Sequence, residues 1–353
     1  MKKEIIIQIV IIIILTIILG MLIKLTLNEM NPVNFNKMQI RQKGDVMFEE
    51  ETQKETLASD VEKGKNVLEN DINLNEYDSN ITISKAGEYT IQGDFEHAIL
   101  VNADNDVTLI LNGVNIKNSI TAAIANISQN KLTIKLNENK TNNLSDGGSS
   151  EYDACIYSNG PLVIDGKGNL SVYGNQEEGE GIATETNDIT INDGIINIES
   201  QDDGINAGGD GGIITINGGD IYIKANGDGI DSNKNLIING GNLYTIGSSE
   251  GGDAGIDTDG GFEINGGKAI ALGSDMLQSP NETSKQKSVC FNLNEKISQG
   301  TNITLKNENK EEIISFKANE DFKTLIISNS QISEGTYYLY KNGEKTSFLV
   351  TVK

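Results

Sequence analysis

Two columns of residues advance together along the middle of this chain, and that coupling restricts it to a repetitive fold. The first column is an Ile preceded by small or acidic residues: Ile99, Ile124, Ile156, Ile182, Ile205, Ile230 and Ile256, spaced by 23 to 32 residues. The second closes a short apolar strand: Asn112, Asn137, Asp165, Asn192, Asn217, Asn239 and Asn265, spaced by 22 to 28. Self-similarity at such a period is the signature of stacked repeats.

Within one repeat the apolar residues alternate with period two. Ile214-Thr215-Ile216-Asn217-Gly218-Gly219 leads into Ile221-Tyr222-Ile223, and Leu236-Ile237-Ile238-Asn239-Gly240-Gly241 leads into Leu243-Tyr244. These are short strands with one buried face, broken at Asn-Gly-Gly corners. No helical period is long enough for a crossover helix. Three short strands per repeat, in register, predict an all-β chain: a parallel β-helix of about seven or more rungs, each burying its apolar face only by stacking on the next. At the rung spacing of about 4.8 Å, the Asn column would form a ladder of side-chain amides. Asp165 would break it. Gly after Asn would supply the positive φ of the corner.

After Met276 the pattern becomes that of ordinary strands, such as Leu325-Ile326-Ile327 and Tyr337-Tyr338-Leu339-Tyr340, with a hairpin at Asn342-Gly343. A β-helix needs its open end covered, so 276–353 reads as a C-terminal β cap and 76–275 as the β-helix. Residues 28–75 are polar and read as a stalk.

Residues 5–23 carry no charge, and as a helix would span roughly 28 Å, close to the hydrocarbon thickness. Lys2 and Lys3 precede them, which favours an inside N-terminus. Residues 1–27 therefore read as a transmembrane signal anchor, with a cleaved signal peptide as the alternative. Either way the bulk of the chain is expected outside the cell, single-pass at the membrane or secreted. The net charge is −23 over 353 residues, and −25 once Lys2, Lys3, Glu4 and Lys24 are set aside. That balance excludes electrostatic nucleic-acid binding. One His, one Arg (Arg41) and two Cys (Cys155, Cys290) leave little for His-based catalysis or a disulfide scaffold.

The acidic residues fall into columns. Two positions before the Ile stand Glu180, Asp203 and Asp228; one position after it stand Asn206, Asp231 and Asp257. Asp202, Asp253 and Asp259 lie nearby, as do Glu185 and Asp210. Like charges stacked at the rung spacing repel by about 3–4 kcal/mol at an effective dielectric of 20. A bound Ca²⁺ would relieve this, since it accepts several oxygen ligands in flexible geometry. Asp-Gly is also a common turn pair, which needs no metal. Glu180, Asp202, Asp203, Asp228, Asp231, Asp253, Asp257 and Asp259 are the expected Ca²⁺ ligands.

Tyr222 and Tyr244 hold equivalent outward positions on adjacent rungs. They are expected either to stack on a sugar ring or to form a stabilising cross-strand pair. The lysines that might abstract a proton (Lys167, Lys224, Lys234, Lys268) share no column. Asp202-Asp203 is the best carboxylate pair for glycoside hydrolysis, yet Ca²⁺ ligation would leave both ionised. No catalytic residue is assigned, and binding is favoured over catalysis.

The runs Asp203-Gly204-Ile205-Asn206, Asn217-Gly218-Gly219-Asp220-Ile221-Tyr222-Ile223 and Gly227-Asp228-Gly229-Ile230-Asp231-Ser232 resemble a clostridial carbohydrate-binding domain-containing protein family. So do Ala86-Gly87-Glu88-Tyr89, Leu111-Asn112-Gly113-Val114-Asn115-Ile116 and Asn143-Leu144-Ser145-Asp146-Gly147. The resemblance covers roughly residues 78–345. It implies a right-handed parallel β-helix similar to polysaccharide lyases, binding cellulose or polygalacturonate and Ca²⁺, without established catalysis. Many relatives carry a Lys three residues after the Ile column; Glu185, Gly208, Asn233 and Asp259 stand there in this chain, so the resemblance does not carry over a polyuronate contact through such a Lys.

The expected function is thus a membrane-anchored, extracellular, Ca²⁺-dependent polysaccharide binder. The alternatives are a polysaccharide lyase or hydrolase acting on acidic polysaccharide, and a purely structural surface adhesin.

Overall fold

The structure is a computed structural model that describes residues 64–148, 152–209 and 212–353. The expected membrane segment, most of the expected stalk and Asp210 lie outside the described residues. No helix among the described residues is long and apolar enough to cross a membrane.

The chain winds as a parallel β-solenoid. One sheet contains nine parallel strands, and its register carries the Ile column: Ile81, Ile99, Ile124, Ile156, Ile182, Ile205 and Ile230 pair in succession. Asp231 pairs with Asp257 on the following rung, which places Ile256 beside Ile230. The Ile side chains of this column are fully buried, or nearly so in the case of Ile256. The other two strand positions of each rung belong to a second sheet of seventeen strands. One file runs through Leu132–Leu136, Leu162–Gly166, Ile189–Ile191, Ile214–Ile216, Leu236–Ile238 and Phe262–Ile264. The other runs through Thr141–Ser145, Asn169–Gly174, Ile195–Ser200, Asp220–Ala225, Asn242–Ile246 and Lys268–Gly273. Inward Ile, Leu and Val from all three positions form one continuous core, as stacked repeats must.

The solenoid begins before residue 76. Lys65–Val67 pairs in parallel with Ile81–Ile83, and Asp71–Asn73 with Gly87–Phe95. Only Val67 and Ile72 point inward from these strands, too few to show a period. The residues from 65 to 75 assigned to a stalk are therefore part of the first turn.

The Asn column forms the expected ladder. Asn137 Nδ2 donates to Asn112 Oδ1 at 2.8 Å, Asn217 to Asn192 at 2.9 Å, Asn239 to Asn217 at 2.9 Å and Asn265 to Asn239 at 3.2 Å. Asp165 bonds instead to the backbone N–H of Gly166 at 2.8 Å. At the double-Gly corners the positive φ falls on the second glycine: Gly219 at 90° and Gly241 at 80°.

From Ser288 onward the pairing turns antiparallel. Ser288–Ile297 and Phe322–Ser328 close the second sheet on the last rung, Phe322–Ser328 pairing with Lys268–Gly273. Asn302–Asn307, Glu312–Lys317, Gly335–Lys341 and Glu344–Val352 make a separate four-stranded sheet. Its inner face buries Ile303, Leu305, Phe316, Tyr337 and Leu339.

Candidate functional site

The Asp-Gly-Ile-Asn motif has a steric cause. A Cβ on Gly204 would lie 2.1 Å from Ile223 Cγ2 and 2.5 Å from the carbonyl oxygen of Gly229. Gly181 and Gly229 are equally closed in by Ile198 and Thr245. These glycines stand one residue before the Ile, where the chain presses against a neighbouring strand and the next rung. Close approach, not positive φ, requires Gly there, and it fixes the residue before it on the outer rim.

That preceding position carries Glu180, Asp203 and Asp228. Asp203 Oδ1 accepts the backbone N–H of Asp228 at 2.7 Å, and Asp228 Oδ1 accepts the N–H of Ala254. Each Asp thus spends one oxygen on holding the next rung. Asn206 links this file to the adjacent one: its Nδ2 donates to Glu180 Oε1 at 3.3 Å and to Asp203 Oδ2 at 3.1 Å. Asn206, Asp231 and Asp257 are direct register partners on three successive rungs.

Glu180 and Asp203 are each only 8% exposed. Burial, reinforced by neighbouring carboxylates, pushes both up to about 8. The same causes push Asp228 up to about 7 and Asp231 up to about 6. Asp202, Asp253 and Asp153 are also raised, chiefly by burial. Among the described residues no Lys forms an ion pair with any of these carboxylates.

A cleft of about 120 Å³ opens beside the upper end of the file, lined by Asp153, Tyr157, Glu180, Glu185, Asn206 and Gly208 among others. Glu180 Oε2 and Asn206 Oδ1 are buried with no hydrogen-bond partner. Two orphaned oxygens, one carboxylate and one amide, are the donor types that Ca²⁺ accepts. Among the described residues, however, no three Asp, Glu, His or Cys side chains converge as a finished metal centre. A Ca²⁺ ion here would draw on one or two carboxylates, the Asn206 amide, backbone carbonyls and water.

The sequence expectations separate against this geometry. Glu180, Asp203, Asp228, Asp231 and Asp257 stand in connected files. Asp253, two rungs beyond Asp202, is near enough for its charge to add to the burial that raises Asp202. Asp259 lies near enough to Asp231 for its charge to raise it. Asp153 stands three residues before Ile156, the offset that Asp202 and Asp253 hold from Ile205 and Ile256, and sequence reasoning missed it because Ala154 breaks the Glu180–Asp203–Asp228 column on its rung. Lys224 is held by Glu320 at 2.7 Å.

The exposed aromatic site is corrected. Tyr222 and Tyr244 do stack, with ring centres 5.6 Å apart and planes 8° from parallel. They are 4% and 0% exposed. Phe316 of the C-terminal sheet meets Tyr244 edge-on at 5.9 Å, and Asn319 donates to Tyr222 Oη at 3.4 Å. The pair is the seat of the C-terminal sheet, closed to a sugar.

A parallel β-solenoid with rim files of carboxylates defines a class of rigid repeat proteins that display side chains at rung spacing. A family model described as carbohydrate-binding domain-containing protein matches residues 77–333, and the chain belongs to that family. The match ends before the strand Gly335–Lys341. A carbohydrate-binding domain-containing protein of Acetivibrio thermocellus is 34% identical over 131 residues, covering 34% of this chain and 45% of the relative. The chain thus spans less than half the length of that relative. A solved polysaccharide lyase-like protein from C. thermocellum, a gadolinium derivative, is 29% identical, covers 51% of this chain and 82% of its own, and superposes with a TM-score of 0.37.

Proposed function

We propose that this chain binds polysaccharide outside the cell in a Ca²⁺-dependent manner, held at the membrane by residues 5–23. Family membership supports carbohydrate binding. The observation that carries the Ca²⁺ requirement is the buried, unpartnered Glu180 Oε2, with the unpartnered Oδ1 of the Asn206 amide that bonds it, at the head of the Glu180–Asp203–Asp228 file.

Glu180, Asn206 and Asp203 would hold the ion, with Asp153 and Glu185 at the mouth of the cleft. Ca²⁺ would supply positive charge where the protein has none. It would hold the raised carboxylates ionised and offer open coordination positions to sugar hydroxyl or carboxylate oxygens. Asn206 orients both carboxylates from a single amide, and the Asp203–Asp228 backbone bond keeps the rungs in register. A chain of this net charge repels an anionic polymer, so a uronate glycan would meet the file through the cation.

The test is a polygalacturonate and cellulose pull-down in Ca²⁺ and in EDTA. Chelation is expected to lower affinity at least tenfold, with recovery on adding Ca²⁺. Equal retention in both buffers would overturn the Ca²⁺ requirement, and no retention in either would overturn polysaccharide binding.

A hydrolase reading has one observation in its favour. Carboxyls pushed up to about 8 would be protonated near neutral pH in the absence of a cation, as a general acid requires. Release of reducing ends from a polysaccharide would support it; intact substrate after prolonged incubation would remove it.

A further inference from the structure

The four-stranded C-terminal sheet has two different faces. Its inner face seats Phe316 on the Tyr222–Tyr244 stack. Along Gly335–Lys341 the alternation is strict: Tyr337 and Leu339 are buried, while Thr336, Tyr338 and Tyr340 point the other way and remain half-exposed. Register places Lys306 opposite Tyr338 and Thr304 opposite Tyr340 on one side. Leu349 lies opposite Tyr338 and Lys345 opposite Tyr340 on the other. Leu349 is 54% exposed. Lys317 continues the same outer face through its pairing with Asn302.

Two ammonium groups lie on these rings. Lys345 Nζ is 3.4 Å from the centre of Tyr338, and Lys306 Nζ is 5.0 Å from that of Tyr340. Neither lysine forms an ion pair among the described residues. The one carboxylate paired across the face is Glu312, opposite Lys306 at the edge. In a chain of net charge −23, this is a local concentration of unpaired positive charge laid over aromatic surface.

We propose that this outer face, built on Tyr338 and Tyr340 with Lys306 and Lys345 beside them, is a binding platform for an anionic polysaccharide. It rests on the reading that the chain binds polysaccharide, and adds a second surface that uses no metal. The two rings are two residues apart on one strand, about 7 Å, a distance on the scale of a sugar ring. Their faces offer apolar area at low conformational cost, and their hydroxyls offer hydrogen bonds. An exposed cation–π contact is weak. Each lysine can therefore swing off its ring to meet a uronate carboxylate while a sugar takes its place. Charge complementarity favours the anionic glycan over a neutral one.

The test uses the full-length chain in mild detergent, with polygalacturonate and cellulose measured by affinity electrophoresis in EDTA and in Ca²⁺. In EDTA the wild-type chain is expected to keep weak, salt-sensitive retardation by polygalacturonate. Y338A/Y340A and K306E/K345E should each lower that affinity at least tenfold, the lysine variant without changing retardation by cellulose. All four side chains are outward, and circular dichroism of each variant checks the fold. Unchanged polygalacturonate affinity in both folded variants overturns the platform alone. So does a wild-type chain that binds polygalacturonate only in Ca²⁺. A wild-type chain retarded by no polysaccharide in either buffer removes the polysaccharide reading as well.

Discussion

Asn239 donates from Nδ2 to Asn217 Oδ1 at 2.9 Å, one step of an amide ladder that climbs the corner of the solenoid. Among the described residues the ladder breaks on both sides of Asp165: its carboxylate has no hydrogen to pass to Asn137, and its Oδ1 accepts the N–H of Gly166 in place of the Asn192 amide. Asn217→Ala removes two rung-to-rung bonds and is expected to cost about 1–3 kcal/mol. Asp165→Asn rejoins the two halves and is expected to raise stability by about 0.5–1 kcal/mol. Thermal melts of both variants check this, and an unchanged melt for Asn217→Ala would contradict the ladder's contribution.

Gly204→Ala is expected to be severely destabilising, since its Cβ would enter the space of Ile223 Cγ2 and a backbone carbonyl that cannot move away. A loss of about 2–4 kcal/mol fits overpacking against backbone. Gly252→Ala is the control: nothing lies within 4 Å of its added Cβ, and its φ is not positive. It should stay within about 0.5 kcal/mol of wild type. Urea titrations of the two variants separate the steric cause from a general need for glycine.

The raised carboxylates give the metal-free protein a defined pH dependence. Glu180 and Asp203 are pushed up to about 8 and Asp228 to about 7, above their unfolded values near 4. Between those limits the folded state binds more protons than the unfolded state. Stability therefore falls as pH rises from about 4 to about 8, and levels off above. A bound Ca²⁺, as proposed, would replace those protons, so the slope should flatten in its presence. Melting temperatures across this range, in EDTA and in Ca²⁺, would show the two curves diverging toward pH 8. Curves that stay parallel would count against a cation at the file.

Tyr244→Ala should act on stability rather than on glycan capture. It empties a fully buried site under Phe316, at a cost of about 3–5 kcal/mol. Tyr222→Phe keeps the stack and loses only the hydroxyl that meets Asn319. Its polysaccharide affinity should equal that of wild type, measured by the same electrophoresis. A loss of binding in this variant would reinstate the pair as a sugar contact.

What could be read from the sequence followed from how local its cause is. The Ile and Asn columns repeat every rung, so Ile205 against Ile230 and Asn217 against Asn239 could be placed before any coordinates. The same columns brought Glu180, Asp203 and Asp228 into one file. The covering of Tyr222 could not be read this way, because Asn319 lies 97 residues further along and no period connects them. Tyr338 and Tyr340 show only strand alternation in sequence. Which face seats on the solenoid depends on Phe316, from a different strand of the same sheet. The first rung escaped notice for the opposite reason: Val67 and Ile72 are single buried residues in short polar strands.

The buried carboxylate file is proposed to take a divalent cation at Glu180 and Asn206. Calorimetric titration of the full-length chain with Ca²⁺ decides this. Saturable binding is expected, weakened at least tenfold by Glu180→Gln, which keeps the side-chain shape and removes the charge. An isotherm without binding heat, or one that Glu180→Gln leaves unaltered, would contradict it.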